Sequence, residues 1–457
     1  MHSASMQLLM FATAAIIIII IAAQICGHMA PKLGQPVVVG EMVAGVLLGP
    51  SALGYALPEF SAFIFNAEVK KTLYVIAMSG LGLYMFLVGA EHESSGQKGR
   101  RRYLPIILSI LGIVLPTAMG SAATIAIAQQ FKPGNVGMDV YVLFVGVGLS
   151  VTAFPMLARF LQERNMMKTM FGATAIEAAA IDDAMAWCGL ALISAMAVHG
   201  SMVVALYQTV IPAIFFAAGV FWLLPKIFRR AFDKAVASGT ISDKLLGGLL
   251  ITVFVCSLIS DYIGIYSVFG GFIAGAALPK VPGFSKLLQD RLLQTVKCLF
   301  LPVFFAYSGL NTDVFGSFNS QTLWVFGVLL GVAVVSKALS AVTVLRAYRW
   351  SWGETVAMAG LMNARGLMIL VYINIGLALG IIHTEMFSIM VMIAIMTTAL
   401  AKPIYRIYFS DSREAAQRAA WRRQAPTAPA STDVGTKEGD ALLPPGFGDE
   451  GAAIAKG

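Results

Sequence analysis

Long apolar stretches separated by short polar segments dominate the chain. A helix needs about 20 apolar residues to cross a bilayer. Runs such as residues 14–23 are apolar on every face, whereas a strand of a membrane β-barrel alternates apolar and polar positions. The pattern predicts thirteen transmembrane helices, at residues 6–26, 36–54, 71–90, 103–128, 140–158, 171–197, 202–224, 245–260, 263–278, 294–310, 321–344, 355–379 and 385–408.

The composition supports an all-α integral membrane protein. Hydrophobic residues make up 58% of the 457 positions and charged residues only 12%, about half the share of a soluble domain. This excludes a soluble enzyme, a nucleic-acid binder and a disordered protein. The sequence shows no nucleophile set and no metal-ligand spacing, and its four cysteines form no CxxC pair. We therefore expect no enzyme activity and no cofactor.

The basic residues predict the orientation. With helix-end residues counted in the adjoining loop, 19 of the 32 Lys and Arg residues fall in loops after odd-numbered helices, and 3 in loops after even-numbered ones. The positive-inside rule then places the N-terminus outside and the C-terminus in the cytoplasm of a plasma (inner) membrane. Residues 1–410 form the predicted membrane domain, and the polar residues 411–457 are predicted to be a disordered cytoplasmic tail.

The two halves of the chain resemble each other. Residues 40–49 in helix 2 and residues 270–279 in helix 9 share four identities at one offset of 230 positions. Helix 9 comes seven helices after helix 2, an odd offset, so equivalent elements face opposite ways in a predicted 6+1+6 inverted repeat. Inverted repeats with broken helices at mid-membrane are typical of secondary transporters.

Two segments have the composition of broken helices. Helix 5 contains Pro155, which removes a backbone donor and frees the carbonyl of Val151. Helix 12 contains Asn363 and Arg365 between glycines. These segments occupy corresponding places in the two halves, which favours an ion site between them.

Few ionisable residues lie inside the predicted helices, and each costs about 2.5–3.5 kcal/mol if it faces lipid. They are Glu177, Asp182, Asp183, Lys337 and Arg365, with Glu41 nearer a helix end. Such residues form pairs, line water or mark an ion path. Because neighbours on a helix point about 100° apart, one aspartate can pair with Lys337 while the other faces a cavity.

The free aspartate is the predicted ion and proton site. Burial and a nearby acid both favour the protonated form of a carboxyl group, so a proton and a monovalent cation can compete for it. A static salt bridge between one aspartate and Lys337 is the alternative, but it leaves the second aspartate unexplained. Glu177 fits a helix contact as well as a functional role. Arg365 is expected to anchor freed carbonyls or Glu177.

These residues resemble those of a known family. Residues 181–183 (Ile-Asp-Asp), the segment from Ser150 to Arg159 and residues 362–366 are similar to motifs of the monovalent cation/proton antiporters, closest to the plant and bacterial cation/proton exchangers. Residues 40–53, 301–309 and 374–380 add to the resemblance, which spans about residues 6–408.

The resemblance implies a homodimer and an elevator-like movement. Helices 1–3 and 7–10 would form a dimerisation scaffold, and helices 4–6 and 11–13 an ion-carrying core with two crossed, discontinuous helices. Asp183 would be the carrier that binds the cation or proton, and Asp182 its partner held by Lys337. Ser150, Thr152 and Asn363 would support the site.

Two departures from the family pattern matter. Many plant-type members have Asn before the second Asp and are taken to be electroneutral, whereas Asp182-Asp183 implies two protons per cation and charge movement. The large C-terminal domain of plant members and the nucleotide-binding domain of glutathione-gated potassium efflux systems are both absent from this sequence.

The sequence thus predicts an electrogenic Na⁺ (or K⁺)/H⁺ antiporter. A channel-like K⁺ or Na⁺ efflux pathway would normally show a filter motif or a ring of like charges. An organic-anion symporter on the same fold would need cationic groups facing its substrate. A scaffold protein would not require ionisable residues in mid-membrane.

Overall fold

The computed structural model describes residues 4–91, 103–167, 169–200, 202–313 and 319–424, and every regular element in these ranges is helical. Ten of the described helices are long and apolar enough to cross a membrane. Shorter apolar helices lie within three other predicted spans, at Met138–Ser150, Ser267–Ala276 and Met368–Ala378. The chain is therefore an all-helical, multi-pass membrane protein.

The helices are labelled here in chain order. They are α1 (Ala4–Lys32), α2 (Val37–Leu48), α3 (Leu53–Ala56), α4 (Pro58–Ile64), α5 (Ala67–Glu91), α6 (Leu104–Ile127), α7 (Met138–Ser150), α8 (Phe154–Glu163), α9 (Met170–His199), α10 (Met202–Ala205), α11 (Ile211–Ser238), α12 (Asp243–Ile263), α13 (Ser267–Ala276), α14 (Phe284–Thr295), α15 (Leu301–Leu310), α16 (Ser320–Ala347), α17 (Trp352–Met362), α18 (Gly366–Ala378), α19 (Thr384–Tyr408) and α20 (Asp411–Gln424). Wider π-turns join α10 to α11 and α14 to α15.

Helix 10 is longer than its predicted span of 294–310. Helical structure begins at Phe284 and continues through α14 into α15. Helix α14 buries Phe284 and Leu288 on one face and exposes charged residues such as Lys286 on the other. A search for uniformly apolar stretches misses such an amphipathic helix.

The start of the predicted tail is ordered. The prediction of disorder from residue 411 is wrong for Asp411–Gln424, which form α20, while residues 425–457 lie outside the described ranges. Glu414 on α20 is 3% exposed, pairs with Arg164 and accepts a hydrogen bond from the Tyr405 hydroxyl. These tertiary contacts stabilise a helix whose own composition is polar.

The helices pack in two groups. In one, α1 packs on α2, α2 on α15, α12 on α13, and α13 on α5. In the other, α6 packs on α7, α9 and α16, and α17 packs on α16 and α19. The groups consist of helices from the predicted scaffold and the predicted core respectively. Their roles as a fixed and a moving domain stay predictions.

Glycines in the first group allow equivalent close contacts. A Cβ at Gly40 would clash with the carbonyl of Cys26, and a Cβ at Gly270 would clash with that of Cys256. Each clash lies between two consecutive helices, α1 with α2 and α12 with α13. The absence of a side chain thus sets the distance between the helices at both places.

Candidate ion site

Two interrupted helices meet in the second group. Helix α7 ends at Ser150 and α8 begins at Phe154, while α17 ends at Met362 and α18 begins at Gly366. The Ala153 N–H donates a hydrogen bond to the Ala364 carbonyl at 2.8 Å. The interruptions therefore contact each other directly, and each supplies hydrogen-bond partners for the other.

Local sequence explains both interruptions. Pro155 is the second residue of α8, a first-turn position where its missing N–H is tolerated, but it cannot continue a helix from α7. Gly366 has φ +48°, a value that favours glycine. A Cβ at Gly366 would lie 3.2 Å from the Ala153 Cβ, so the contact between the two breaks also requires the small residue.

Two cations bind the carbonyls that the first break frees. The Lys337 ammonium donates to the Ser150 carbonyl at 2.8 Å. The Arg365 guanidinium donates to the Leu149 carbonyl, and to the Ala333 carbonyl at 3.3 Å. A helix C-terminus carries a partial negative charge, so both cations stabilise the end of α7. Arg365 thus binds carbonyls, the first of its two predicted partners.

Lys337 also holds Asp182. Its Nζ lies 2.8 Å from Asp182 Oδ2 and 2.8 Å from the Gly112 carbonyl, in addition to Ser150. The two side chains are 1% and 0% exposed. An ammonium has three donors, so all three are used.

Asp182 has two further donors. The Ser109 hydroxyl donates to Oδ1 at 2.5 Å, and the Thr152 hydroxyl lies 2.8 Å from Oδ2. Thr152 Oγ1 is also 2.9 Å from the Met362 carbonyl, and its single proton can serve only one of these acceptors at a time. Asp182 is therefore a fully bonded carboxylate, tied to both interruptions.

Asp183 is in a different situation. It is 1% exposed, yet neither of its carboxyl oxygens has a hydrogen-bond partner among the described residues. Its side chain points about 100° away from that of Asp182, which explains why Lys337, Ser109 and Thr152 reach only the first aspartate. A buried carboxyl without partners is costly, so this group requires an explanation such as a bound proton, ion or water.

The remaining predicted residues lie at different distances from this centre. The Asn363 amide donates to the Ala359 carbonyl at 3.1 Å, while its Oδ1 is buried and unbonded within the described residues. Ser150 contributes its backbone carbonyl, since its hydroxyl donates to the Val147 carbonyl. Glu177 is half-buried six positions before Asp183, about 9 Å away along the helix.

Two side chains beside the two aspartates were not predicted from the sequence. Ser109 on α6 bonds Asp182, but small polar residues are common at membrane helix contacts, so nothing in the sequence marked it. Trp187 lies one helical turn after Asp183, and its indole N–H is buried without a hydrogen-bond partner among the described residues. Its i, i+4 spacing was a usable signal.

A cavity of about 320 Å³ leads to the first interruption. Its lining includes Ala153 and Phe154, next to Thr152, as well as Gln289 and Lys402. Gln289 lies in the segment after predicted helix 9 and Lys402 near the end of predicted helix 13, so this part of the cavity is on the side where Lys and Arg are concentrated. The cavity therefore approaches the paired interruptions from one side of the molecule, between the two groups of helices.

The sequence profile of the family described as sodium/hydrogen exchanger, transmembrane, matches residues 15–407. The chain belongs to the sodium/hydrogen exchanger family. Such proteins are monovalent cation/proton antiporters, and the relatives of this exchanger are transporters, not enzymes.

Individual relatives agree with this assignment. This exchanger is 34% identical over 403 residues to the Na(+)/H(+) antiporter NhaS4 of Synechocystis, covering 88% of this chain and 98% of the relative. It is 28% identical over 393 residues to the K(+)/H(+) antiporter 1 of Saccharomyces cerevisiae, covering 83% of this chain and 44% of the relative, less than half of the yeast protein.

A solved structure shows the same fold. The sodium proton antiporter MjNhaP1 from Methanocaldococcus jannaschii matches with a TM-score of 0.58. The match covers 89% of this exchanger and 99% of the archaeal chain at 16% identity.

Proposed function

We propose that this exchanger carries Na⁺, or K⁺, in exchange for protons at Asp183. The observation that carries the proposal is the contrast between two adjacent buried aspartates. Asp182 is bonded by Lys337, Ser109 and Thr152, whereas Asp183 has two unbonded oxygens among the described residues. A buried carboxylate without partners favours whichever cation reaches it, and a proton and a metal cation then compete for one site.

Carboxyl and carbonyl-type oxygens suit a hard monovalent cation. Asp183 supplies two such oxygens, and the unbonded Oδ1 of Asn363 is a further candidate. The Asp183 carboxylate would hold the cation, with Asp182 fixed beside it by Lys337. Arg365 would keep the freed carbonyls of α7 occupied, so that the cation binds the carboxylate rather than the broken helix.

Charge balance links the stoichiometry to Lys337. Asp182, Asp183, Lys337 and Arg365 sum to zero when all four are ionised. One cation or one proton on Asp183 gives the same charge, so exchange would be one for one if Lys337 kept its proton. We propose electrogenic exchange, in which cation binding near Asp182 weakens its ion pair and Lys337 also releases a proton.

Alternating access would follow an elevator-type movement. The cavity beside Ala153 lies between the two helix groups, and it opens next to the Lys- and Arg-rich loops that the positive-inside rule places in the cytoplasm. This supports an inward-facing state with the N-terminus outside. A rigid movement of the second group against the first would carry Asp183 to the other side of the plasma membrane.

The glycine contacts support the proposed inverted repeat of thirteen helices. Gly40 and Gly270 lie against Cys26 and Cys256, and both pairs repeat at the 230-residue offset found in the sequence. The following glycines make contacts between corresponding pairs of helices, since Gly45 in helix 2 lies against the Phe305 carbonyl in helix 10 and Gly275 in helix 9 lies against the Phe86 carbonyl in helix 3. The first group would be the scaffold through which a homodimer forms.

The identity of the transported cation is the part of the proposed function that the sequence and the structure constrain least. One relative is named as a Na(+)/H(+) antiporter and another as a K(+)/H(+) antiporter. We place Na⁺ first and K⁺ second, and the same transport assay distinguishes them.

Proton movement in proteoliposomes tests the proposal. Purified protein is reconstituted with a pH-sensitive dye inside acid-loaded vesicles, and Na⁺, Li⁺ or K⁺ is added outside. We expect cation-dependent alkalinisation that Asp183→Asn abolishes, with an initial rate that responds to an imposed membrane potential. The matched control is Asp139→Asn, the same change at an exposed carboxylate on α7.

The outcomes separate the alternatives. Cation-dependent alkalinisation that persists in Asp183→Asn would place the carrier elsewhere. Cation movement without protons would indicate a channel-like efflux pathway, and no response to any of the three cations from folded protein would favour a symporter. If the rate of exchange does not respond to the membrane potential, electrogenic transport is refuted, but cation/proton exchange is not.

A further inference from the structure

One face of α9 connects Asp183 to the scaffold. Residues 183, 187 and 194 are spaced at i, i+4 and i+11, which places them along one side of the helix. Trp187 packs against Phe269 of α13, with ring centroids 6.2 Å apart at 56°. Two turns further along, the Ser194 hydroxyl is buried and has no hydrogen-bond partner among the described residues. The contact between Trp187 and Phe269 crosses from the second helix group to the first.

The scaffold side of this contact is strained. Tyr266, which directly precedes α13, has φ +65°. A non-glycine residue in the left-handed region costs about 1–3 kcal/mol and persists only where surrounding structure enforces it. The surrounding structure must therefore enforce this conformation at the start of α13, where Phe269 packs against Trp187.

Trp187 also carries an unused donor beside an unused acceptor. Its indole N–H is buried and unbonded among the described residues, as are both Asp183 oxygens. The side chain is 4% exposed and lies one helical turn from Asp183 on the same face of α9, with no hydrogen bond between the two. A movement of the ring toward the carboxyl group would complete this bond.

We propose that Trp187 is a positioning residue that senses whether Asp183 is loaded. In the empty, ionised state the indole N–H donates to the Asp183 carboxylate, while the ring contacts Phe269 and keeps the side toward α13 closed. A cation or proton on Asp183 removes the acceptor, so the bond no longer holds the ring against Phe269 and the contact is free to open. This inference rests on the proposed role of Asp183.

Such a device would prevent uncoupled movement. If the core could cross with Asp183 empty, each crossing would let one ion flow without exchange. Among the other buried charged groups of the site, Asp182 and Lys337 bind each other, and Arg365 binds carbonyls through Nη2 while its Nε and Nη1 have no partner among the described residues. From the scaffold side the titratable groups are Tyr266 and, beyond it, Asp261. Trp187 is the neutral donor between these groups.

Two substitutions separate the donor from the ring. Trp187→Phe keeps an aromatic ring and removes the N–H, so the ionised carboxylate loses its donor and Asp183 holds its proton to higher pH. We expect the pH of half-maximal exchange to rise by about one unit or more. Trp187→Gln keeps a donor and removes the ring, so we expect a pH midpoint near that of wild type, with cation-independent proton leak raised several-fold.

A third variant and a matched control complete the test in proteoliposomes. Phe269→Leu leaves Trp187 intact and should raise the leak without moving the pH midpoint, which keeps the inference testable if a Trp187 variant does not fold. Trp324→Phe makes the same change at a tryptophan that is 65% exposed and should alter neither quantity.

The results distinguish this inference from the proposed function. A Trp187→Phe protein with the wild-type pH midpoint, or a Phe269→Leu protein without increased leak, overturns the role of Trp187. Wild-type exchange that Asp183→Asn abolishes leaves the proposed function in place in either case. If Asp183→Asn still exchanges, the proposed function fails, and the Trp187 inference fails with it.

Discussion

Replacing Lys337 by methionine tests the energetic reasoning about the site. Methionine is unbranched and similar in length, so the change mainly removes the ammonium. Three charged hydrogen bonds disappear, each 2.8 Å long, to Asp182, Ser150 and Gly112. Removing one partner of a buried ion pair costs about 3–5 kcal/mol, since the remaining charge is left unpaired. We expect the free energy of unfolding to fall by about that amount.

The double variant with Asp182→Asn gives the decisive comparison. It removes the orphaned charge and keeps acceptors and donors for Ser109 and Thr152, so it should recover about 1–3 kcal/mol of the loss. Unfolding is followed by circular dichroism in mixed micelles with increasing SDS. Lys244→Met, at an exposed position on α12, is the control and should change stability by less than about 0.5 kcal/mol.

A loss below about 1 kcal/mol for Lys337→Met would refute the reasoning, since a fully bonded ammonium in a buried site cannot be dispensable. A double variant less stable than the single variant would also contradict it. That result would mean that the Asp182 carboxylate is stabilised by groups other than Lys337.

Three further changes test separate features. Thr152→Val removes the hydroxyl shared by Asp182 and the Met362 carbonyl. We expect the free energy of unfolding to fall by about 1.5–3 kcal/mol in the same SDS titration. The cation concentration for half-maximal exchange should change as well. Gly366→Ala adds a Cβ at a positive φ and against Ala153, so the thermal midpoint in detergent should fall, and an unchanged midpoint would contradict the tight contact between the interruptions. Glu414→Gln removes the charge that pairs with Arg164; limited proteolysis within α20 should become several-fold faster while exchange at saturating cation stays near wild type.

Hydropathy and charge were sufficient to predict an all-helical membrane protein, but not to predict where its helices are interrupted. Residues 140–158 form one apolar stretch, yet the helix stops at Ser150 and restarts at Phe154. Pro155 marked the region, whereas the position of the break depends on tertiary partners, the Ala364 carbonyl and the cations at the end of α7. Those partners come from more than 180 residues away, beyond the range of any local pattern.

For the site, too, the sequence predicts which residues take part but not how they are paired. Asp182, Asp183 and Lys337 stand out in the sequence because charges in apolar helices are rare. Which aspartate pairs with Lys337 depends on the rotation of α9 relative to α6 and α16, and adjacent positions in a sequence carry no information about that rotation. Their functional roles, and those of Glu177 and Asn363, stay predictions.

Helix α20 is bonded to several helices of the second helix group. Its Glu414 is bonded to Arg164 at the end of α8 and to Tyr405 on α19, and Gln417 donates to Glu354 on α17. A fluorophore attached to this helix would therefore stay with the second helix group, while one on α12 would stay with the first. If the second group moves against the first as we propose, energy transfer between the two labels would report that movement directly in single molecules, without a chemical reporter of the ion.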